Sequence, residues 1–151
     1  MGAIEAPFPS SAWFVELVAR ATADPAALER LGIADLRFGV EVLVPDGFDE
    51  FFGLVLDGYD IGVVGPTTED AFAPDVVVSG PLDAWQEMVG WIEEHGPADS
   101  AHSLNGLTIA GIPLVARSED AMGSDKFYRF MGTIQAIFDA AGAPAPVASG
   151  A

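Results

Sequence analysis

Between Pro74 and Glu94 the hydrophobic period changes once and abruptly, and that change restricts the fold more than any other stretch. Val76, Val77 and Val78 form an unalternated apolar run, which fits a strand buried on both faces and central in its sheet. A helix opens at Pro81. At about 100° per residue, Leu82, Ala84, Trp85, Met88, Val89, Trp91 and Ile92 fill one half of its wheel. Asp83, Gln86, Glu87, Gly90, Glu93 and Glu94 fill the other half, and His95-Gly96-Pro97 ends it with Gly96 as a left-handed cap. A doubly buried strand feeding a one-sided helix requires both a sheet and a helical layer, so the class is α+β.

The flanking segments supply the rest of those layers. Residues 1–7 read as an arm. Ser10 caps a helix to about Ala23, with Trp13, Phe14, Leu17, Val18 and Ala21 on one side. Asp24-Pro25 opens a short helix that stops at Gly32. The period then becomes two: Leu36, Phe38, Val40, Val42 and Val44 share one face of a strand, and Arg37, Gly39, Glu41 and Leu43 the other. After a Pro45-Asp46-Gly47 turn, Phe52, Leu54 and Leu56 form the inward face of a second strand. Asp57-Gly58 signals a hairpin into a third strand carrying Tyr59, Ile61 and Val63, and Thr67–Pro74 reads as loop.

Beyond the long helix, Leu104–Gly111 reads as a further strand with its body at Leu107–Ala110, whereas Ile112–Arg117 fits an extended or a helical segment equally. Ser124 is expected to cap a final helix reaching Ala141, with Asp125 and Arg129 paired across one turn. Phe127, Phe130, Met131, Ile134, Ile137 and Phe138 cover half of that helix. The Ala/Pro/Gly-rich residues 142–151 read as a disordered tail behind a domain spanning 8–141.

Charge limits the partners. The chain of 151 residues carries 23 acidic and 6 basic side chains, a net of −17, although half of it is hydrophobic. Nucleic acid and anionic lipid headgroups are held by Lys and Arg, so neither nucleic-acid binding nor stable docking on an anionic membrane is expected. The absence of cysteine removes disulfides, thiolate metal sites and thiol catalysis, and is compatible with a reducing cytoplasm. Met1–Ala6 has neither a basic nor an apolar signal region, and no apolar run is long enough to span a membrane, so a cytoplasmic protein is expected.

No catalytic motif stands out. Gly-x-Ser-x-Gly, Gly-x-Gly-x-x-Gly and phosphate-loop patterns are absent. Asp57, Asp75 and Asp83 would serve as acid or base only inside an apolar pocket, and their places as a hairpin residue, a strand entry and a helix first turn are the better account of them. His95, Asp99 and His102 have a loose metal-like spacing, but a histidine at a helix end is explained by the helix dipole, and no metal is expected. Asp46, Asp49, Glu50, Asp57 and Asp60 form a solvated acidic rim around two turns. Tyr59, Tyr128 and Arg129 are candidates for orienting a polar group at a cavity mouth.

The order of helices, an antiparallel meander, Asp75-Val76-Val77-Val78-Ser79 before a helix, Leu104-Asn105-Gly106-Leu107-Thr108-Ile109-Ala110-Gly111 and a terminal helix resembles the sterol carrier protein 2 (SCP-2) superfamily. Within it, Gly106-Leu107-Thr108-Ile109-Ala110-Gly111 is similar to a family Gly-x-Leu-x-Ile-x-Gly strand in altered register. The resemblance covers residues 8–141. It implies a mainly antiparallel five-stranded sheet covered by helices, with an apolar cavity between them. It also implies non-covalent binding or carrying of a sterol, fatty acyl chain or isoprenoid, without a cofactor. The acidity sets the chain apart from basic eukaryotic members and points to a divergent bacterial-type branch.

On that reading the ligand lies between Phe38, Val40, Phe52 and Leu54 of the sheet and Trp85, Val89, Phe130, Ile134 and Phe138 of the helices. Each buried CH₂ of such a ligand contributes roughly 0.8 kcal/mol. Two alternatives remain open. One is a small cavity enzyme, an isomerase or cyclase acting on a steroid or polyketide. The other is an interaction module whose apolar stripe, with Trp91 and Phe127, docks on a partner or forms a homodimer.

Overall fold

The computed structural model describes residues 3–143. Helix α1 (Ser11–Thr22) starts where the Ser10 hydroxyl accepts the Trp13 N–H at 3.1 Å, and α2 (Pro25–Leu31) starts with the same device at Asp24. Strands β1 (Ala34–Leu43), β2 (Glu50–Gly58) and β3 (Asp60–Val64) form the expected meander. The next elements are α3 (Glu69–Phe72), β4 (Val76–Pro81) and α4 (Leu82–His95). They are followed by α5 (Leu104–Thr108), β5 (Val115–Arg117), α6 (Ala121–Arg129), α7 (Met131–Asp139) and a 3₁₀ turn at Ala140–Gly142.

The sheet order is β3-β2-β1-β4-β5, antiparallel except for the β1–β4 pair. Its register sets Phe38 beside Leu54 and Val76, and Val40 beside Phe52 and Val78. Every second residue therefore faces the helices, and these rows form one hydrophobic cluster with Trp13, Phe14 and Leu17 of α1, Trp85 and Met88 of α4, and Phe127, Ile134 and Phe138 of α6 and α7. Val76, Val77 and Val78 are all buried, as the unalternated run requires: the odd member packs on the opposite face.

That opposite face has its own small cover. Phe51, Phe72 and Val77 cluster there, and the Arg37 guanidinium sits 4.3 Å above the Phe72 ring. The paired glycines Gly39 and Gly53 make this possible, since a Cβ on Gly53 would lie 2.2 Å from the Phe72 ring. Residues 67–74 are thus not simply loop. Thr68 caps α3 by accepting the Ala71 N–H at 3.1 Å, but four residues are too few for a helical period to show in sequence.

Two further expectations are corrected. Residues 104–108 form helix α5, not a strand. The Ser103 hydroxyl accepts the Gly106 N–H at 3.0 Å, the Leu104 N–H is taken by Gln135 Oε1 of α7 at 2.8 Å, and the Thr108 hydroxyl turns back to the Leu104 carbonyl at 2.7 Å. The fifth strand comes from Val115–Arg117, inside the segment whose state the residues left open. The final helix is two helices. Asp120, not Ser124, caps α6 by accepting the Gly123 N–H at 2.9 Å, and Phe130 (φ −103°, ψ 12°) breaks the run. The break lets α6 lie on β4 while α7 packs against α1, α4 and α5, which one straight axis does not reach. Of the expected tail, Ala143 is bound by Arg20 at 2.9 Å, and residues 144–151 lie outside the described residues.

Candidate functional site

The nine residues expected to line a ligand converge between one sheet face and the helices. Phe38, Val40, Phe52 and Leu54 line the sheet side, and Trp85, Val89, Ile134 and Phe138 the helix side. These eight are at most 3% exposed, and Phe130, at the α6–α7 break, is half-buried against them. The Trp85 and Phe138 rings lie 6.0 Å apart and near-parallel, while Phe38 meets Phe138 edge-on at 6.4 Å and Phe127 face-on at 6.3 Å. The Trp85 indole N–H donates to the Glu41 carbonyl at 3.1 Å, which fixes α4 on the sheet. Among the described residues, no fully buried side-chain nitrogen or oxygen lacks a hydrogen-bond partner, so the layer holds no orphaned polar atom.

A groove of about 270 Å³ reaches the helix side of this layer. It is lined by Ile4 and Phe8 of the amino-terminal arm, Trp13 of α1, and Gln86, Val89 and Glu93 of α4. The arm is anchored there: Ile4 is buried, and its backbone N–H donates to Glu93 Oε2 at 3.1 Å. Burial pushes the Glu93 carboxyl above its usual range, against the opposing pull of the Ile4 N–H and the Arg20 charge. Sequence reasoning found the alternating faces but missed this groove. The one available signal was apolar Ile4 and Phe8 ahead of the α1 cap.

The remaining candidates separate. Asp75 joins β4 to β1: its carboxylate accepts the Arg37 N–H at 2.8 Å and lies 3.7 Å from Lys126 Nζ, while Asp57 and Asp83 are exposed. His95 and His102 both stack on the Trp91 indole, at 4.5 and 4.6 Å, and His102 Nδ1 lies 2.6 Å from Asp99, whose carboxyl this hydrogen bond holds below its usual range. Tyr59 borders a small groove beside α2, Tyr128 is exposed on α6, and Arg129 pairs with Asp125. Phe127 is 2% exposed, so it belongs to the interior and is not part of an open docking stripe. A second groove, of about 310 Å³, has a polar wall including Glu69, Asp75, Arg117 and Glu119.

The five-stranded, mostly antiparallel sheet packed against helices is an SCP-2-like α+β fold, as the likeness to two solved structures shows. The chain is similar over 99% of its length to a solution structure from Thermus thermophilus, the conserved hypothetical protein TT1886, "possibly sterol carrier protein". That match has a TM-score of 0.60, 16% identity and 98% coverage of the other chain. A crystal structure of sterol carrier protein 2 matches 87% of this chain and 98% of its own, with a TM-score of 0.52 and 18% identity. No family model and no curated protein matches the chain. Among the described residues, no helix is long and apolar enough to cross a membrane.

Proposed function

We propose that this protein binds one apolar, lipid-like molecule non-covalently and carries it in the layer between the sheet face of Phe38, Val40, Phe52 and Leu54 and the helix residues Trp85, Val89, Phe130, Ile134 and Phe138. The observation that carries the reading is the convergence of these nine residues in a single hydrophobic cluster that reaches, at Val89, a groove to the surface. The SCP-2-like fold supports it, because the similar structures are described as a sterol carrier or possible sterol carrier. Apolar burial supplies the affinity: at about 25 cal/mol per Å², a long alkyl or polycyclic ligand gains several kcal/mol after the cost of association. The rings of Trp85, Phe38 and Phe138 pack on one another, so a ligand enters this layer by separating them.

Native mass spectrometry of the purified protein, followed by solvent extraction, tests this. A bound apolar molecule at one per chain is expected, or stoichiometric uptake of an added fluorescent sterol or fatty acid. A bare monomer that takes up neither overturns the reading, and a bare dimer moves the assignment to a protein-interaction module.

A further inference from the structure

The groove beneath the amino-terminal arm has apolar side chains on its floor and polar groups at its rim. Ile4, Phe8, Trp13 and Val89 provide the floor, and the polar side chains on its lining are Gln86 and Glu93. No lysine or arginine is among its lining residues. We propose that Glu93 is the specificity-determining residue of the lipid site: it admits a lipid whose head is an uncharged hydroxyl and rejects lipids with a carboxylate or phosphate head. This rests on the lipid-binding reading above.

The argument is one of hydrogen-bond type and charge. The Glu93 carboxylate is acceptor-only when ionised, and it already holds a donor, the Ile4 N–H at 3.1 Å. A ligand hydroxyl is a donor of the same kind and can take that place as the arm lifts. A carboxylate or phosphate brings further acceptors and like charge to a half-buried carboxylate, where the repulsion is less screened than in water. Compensation would have to come from a nearby Lys or Arg, and the chain has only six basic residues for 23 acidic ones.

Five of those six are committed. Arg20, the cation whose charge is felt at Glu93, is buried and bound to Glu16 and to the Ala141 and Ala143 carbonyls. Arg37 lies on Phe72 and its carbonyl, and Arg117 grips Glu69 and Glu41. Lys126 faces Asp35 and Asp75, and Arg129 pairs with Asp125. The sixth, Arg30, is exposed in the last turn of α2 and does not line the groove. An anionic head therefore meets the Glu93 charge at the rim, where the basic side chain whose charge is felt, Arg20, is already bound to Glu16 and to two backbone carbonyls.

The test is a competition titration at neutral pH with two probes of one chain length, dodecan-1-ol and dodecanoate, each displacing an uncharged fluorescent sterol. The alcohol is expected to bind at least about tenfold more tightly than the acid. Glu93→Gln is expected to strengthen dodecanoate binding by about that factor and to weaken dodecan-1-ol, whose hydroxyl then meets a neutral acceptor, so the preference for the alcohol is lost. Gln86→Glu, at an exposed position on the same rim, adds a second negative charge and is expected to weaken dodecanoate further and more than the alcohol. Equal or tighter binding of dodecanoate to the wild type, or a preference unmoved by either variant, overturns the assignment of Glu93 while leaving lipid binding intact. Failure of both probes and of the sterol to bind overturns the lipid-binding reading itself, and this inference with it.

Discussion

Truncating Phe138 to alanine tests the interior layer where its packing is most specific. Phe138 has no exposed surface, stacks on Trp85 at 6.0 Å and meets Phe38 edge-on at 6.4 Å. Removing the ring forfeits both contacts and leaves a void at the junction of α4, α7 and β1. Buried Phe→Ala changes cost about 3–5 kcal/mol, a large share of the roughly 5–15 kcal/mol that holds a domain folded. With a urea slope of about 2 kcal/mol per M, the unfolding midpoint falls by about 2 M at unchanged slope. Tryptophan fluorescence follows the transition, because the buried Trp13 and Trp85 indoles become exposed on unfolding. A dry apolar void accepts benzene, and benzene at about a hundred times its dissociation constant restores about 2.7 kcal/mol. A midpoint lowered by less than about 0.5 M, or no response to benzene, refutes the claim that this ring fills the space between sheet and helices.

Two other perturbations follow from the same contacts. A Cβ on Gly106 would lie 1.8 Å from the Ser100 carbonyl oxygen, so Gly106→Ala is expected to undo the α5 turn and cost about 1–3 kcal/mol in a thermal or urea melt; an unchanged melt refutes the cap geometry. Arg117 donates to both Glu69 oxygens at 2.7 and 2.8 Å and to Glu41 at 3.1 Å, but it is substantially exposed, so Arg117→Gln is expected to cost less than about 1 kcal/mol at neutral pH. The hydrogen bond from Arg117 lowers the Glu69 pKa below its ordinary 4.5. That stabilisation is therefore present above the ordinary value and lost as pH falls through the lowered one, so wild type and variant converge in acid. Convergence on raising the pH would refute the assignment.

The elements legible in the sequence are those decided by neighbours in the chain. The Ser10 and Asp24 caps, the alternating faces from Leu36 to Leu56, the Val76–Val78 run and the two-sided wheel of α4 all appear where expected, because caps act over three residues and faces follow from backbone period alone, whereas Tyr59, expected on the third strand, sits in the turn before it. The Leu107–Ala110 strand failed for the complementary reason. Its apolar alternation is real, but Leu104 is buried and its N–H is claimed by Gln135 from a distant helix, and tertiary burial overrides a local β preference.

The same division runs through the candidate site. The sequence by itself determined which residues are apolar and on which face each lies, and so it identified Phe38, Val40, Phe52 and Leu54 opposite Trp85, Val89, Ile134 and Phe138 as one layer. Only the tertiary structure decided that the terminal helix bends at Phe130, that Gly39 and Gly53 make room for aromatic rings on the far face, and that the arm lies over α4 with Ile4 on Glu93. Those features depend on groups 89 residues apart in the case of Ile4 and Glu93. Hydrophobic period records the facing of a side chain; its neighbours are set only when all the layers close together.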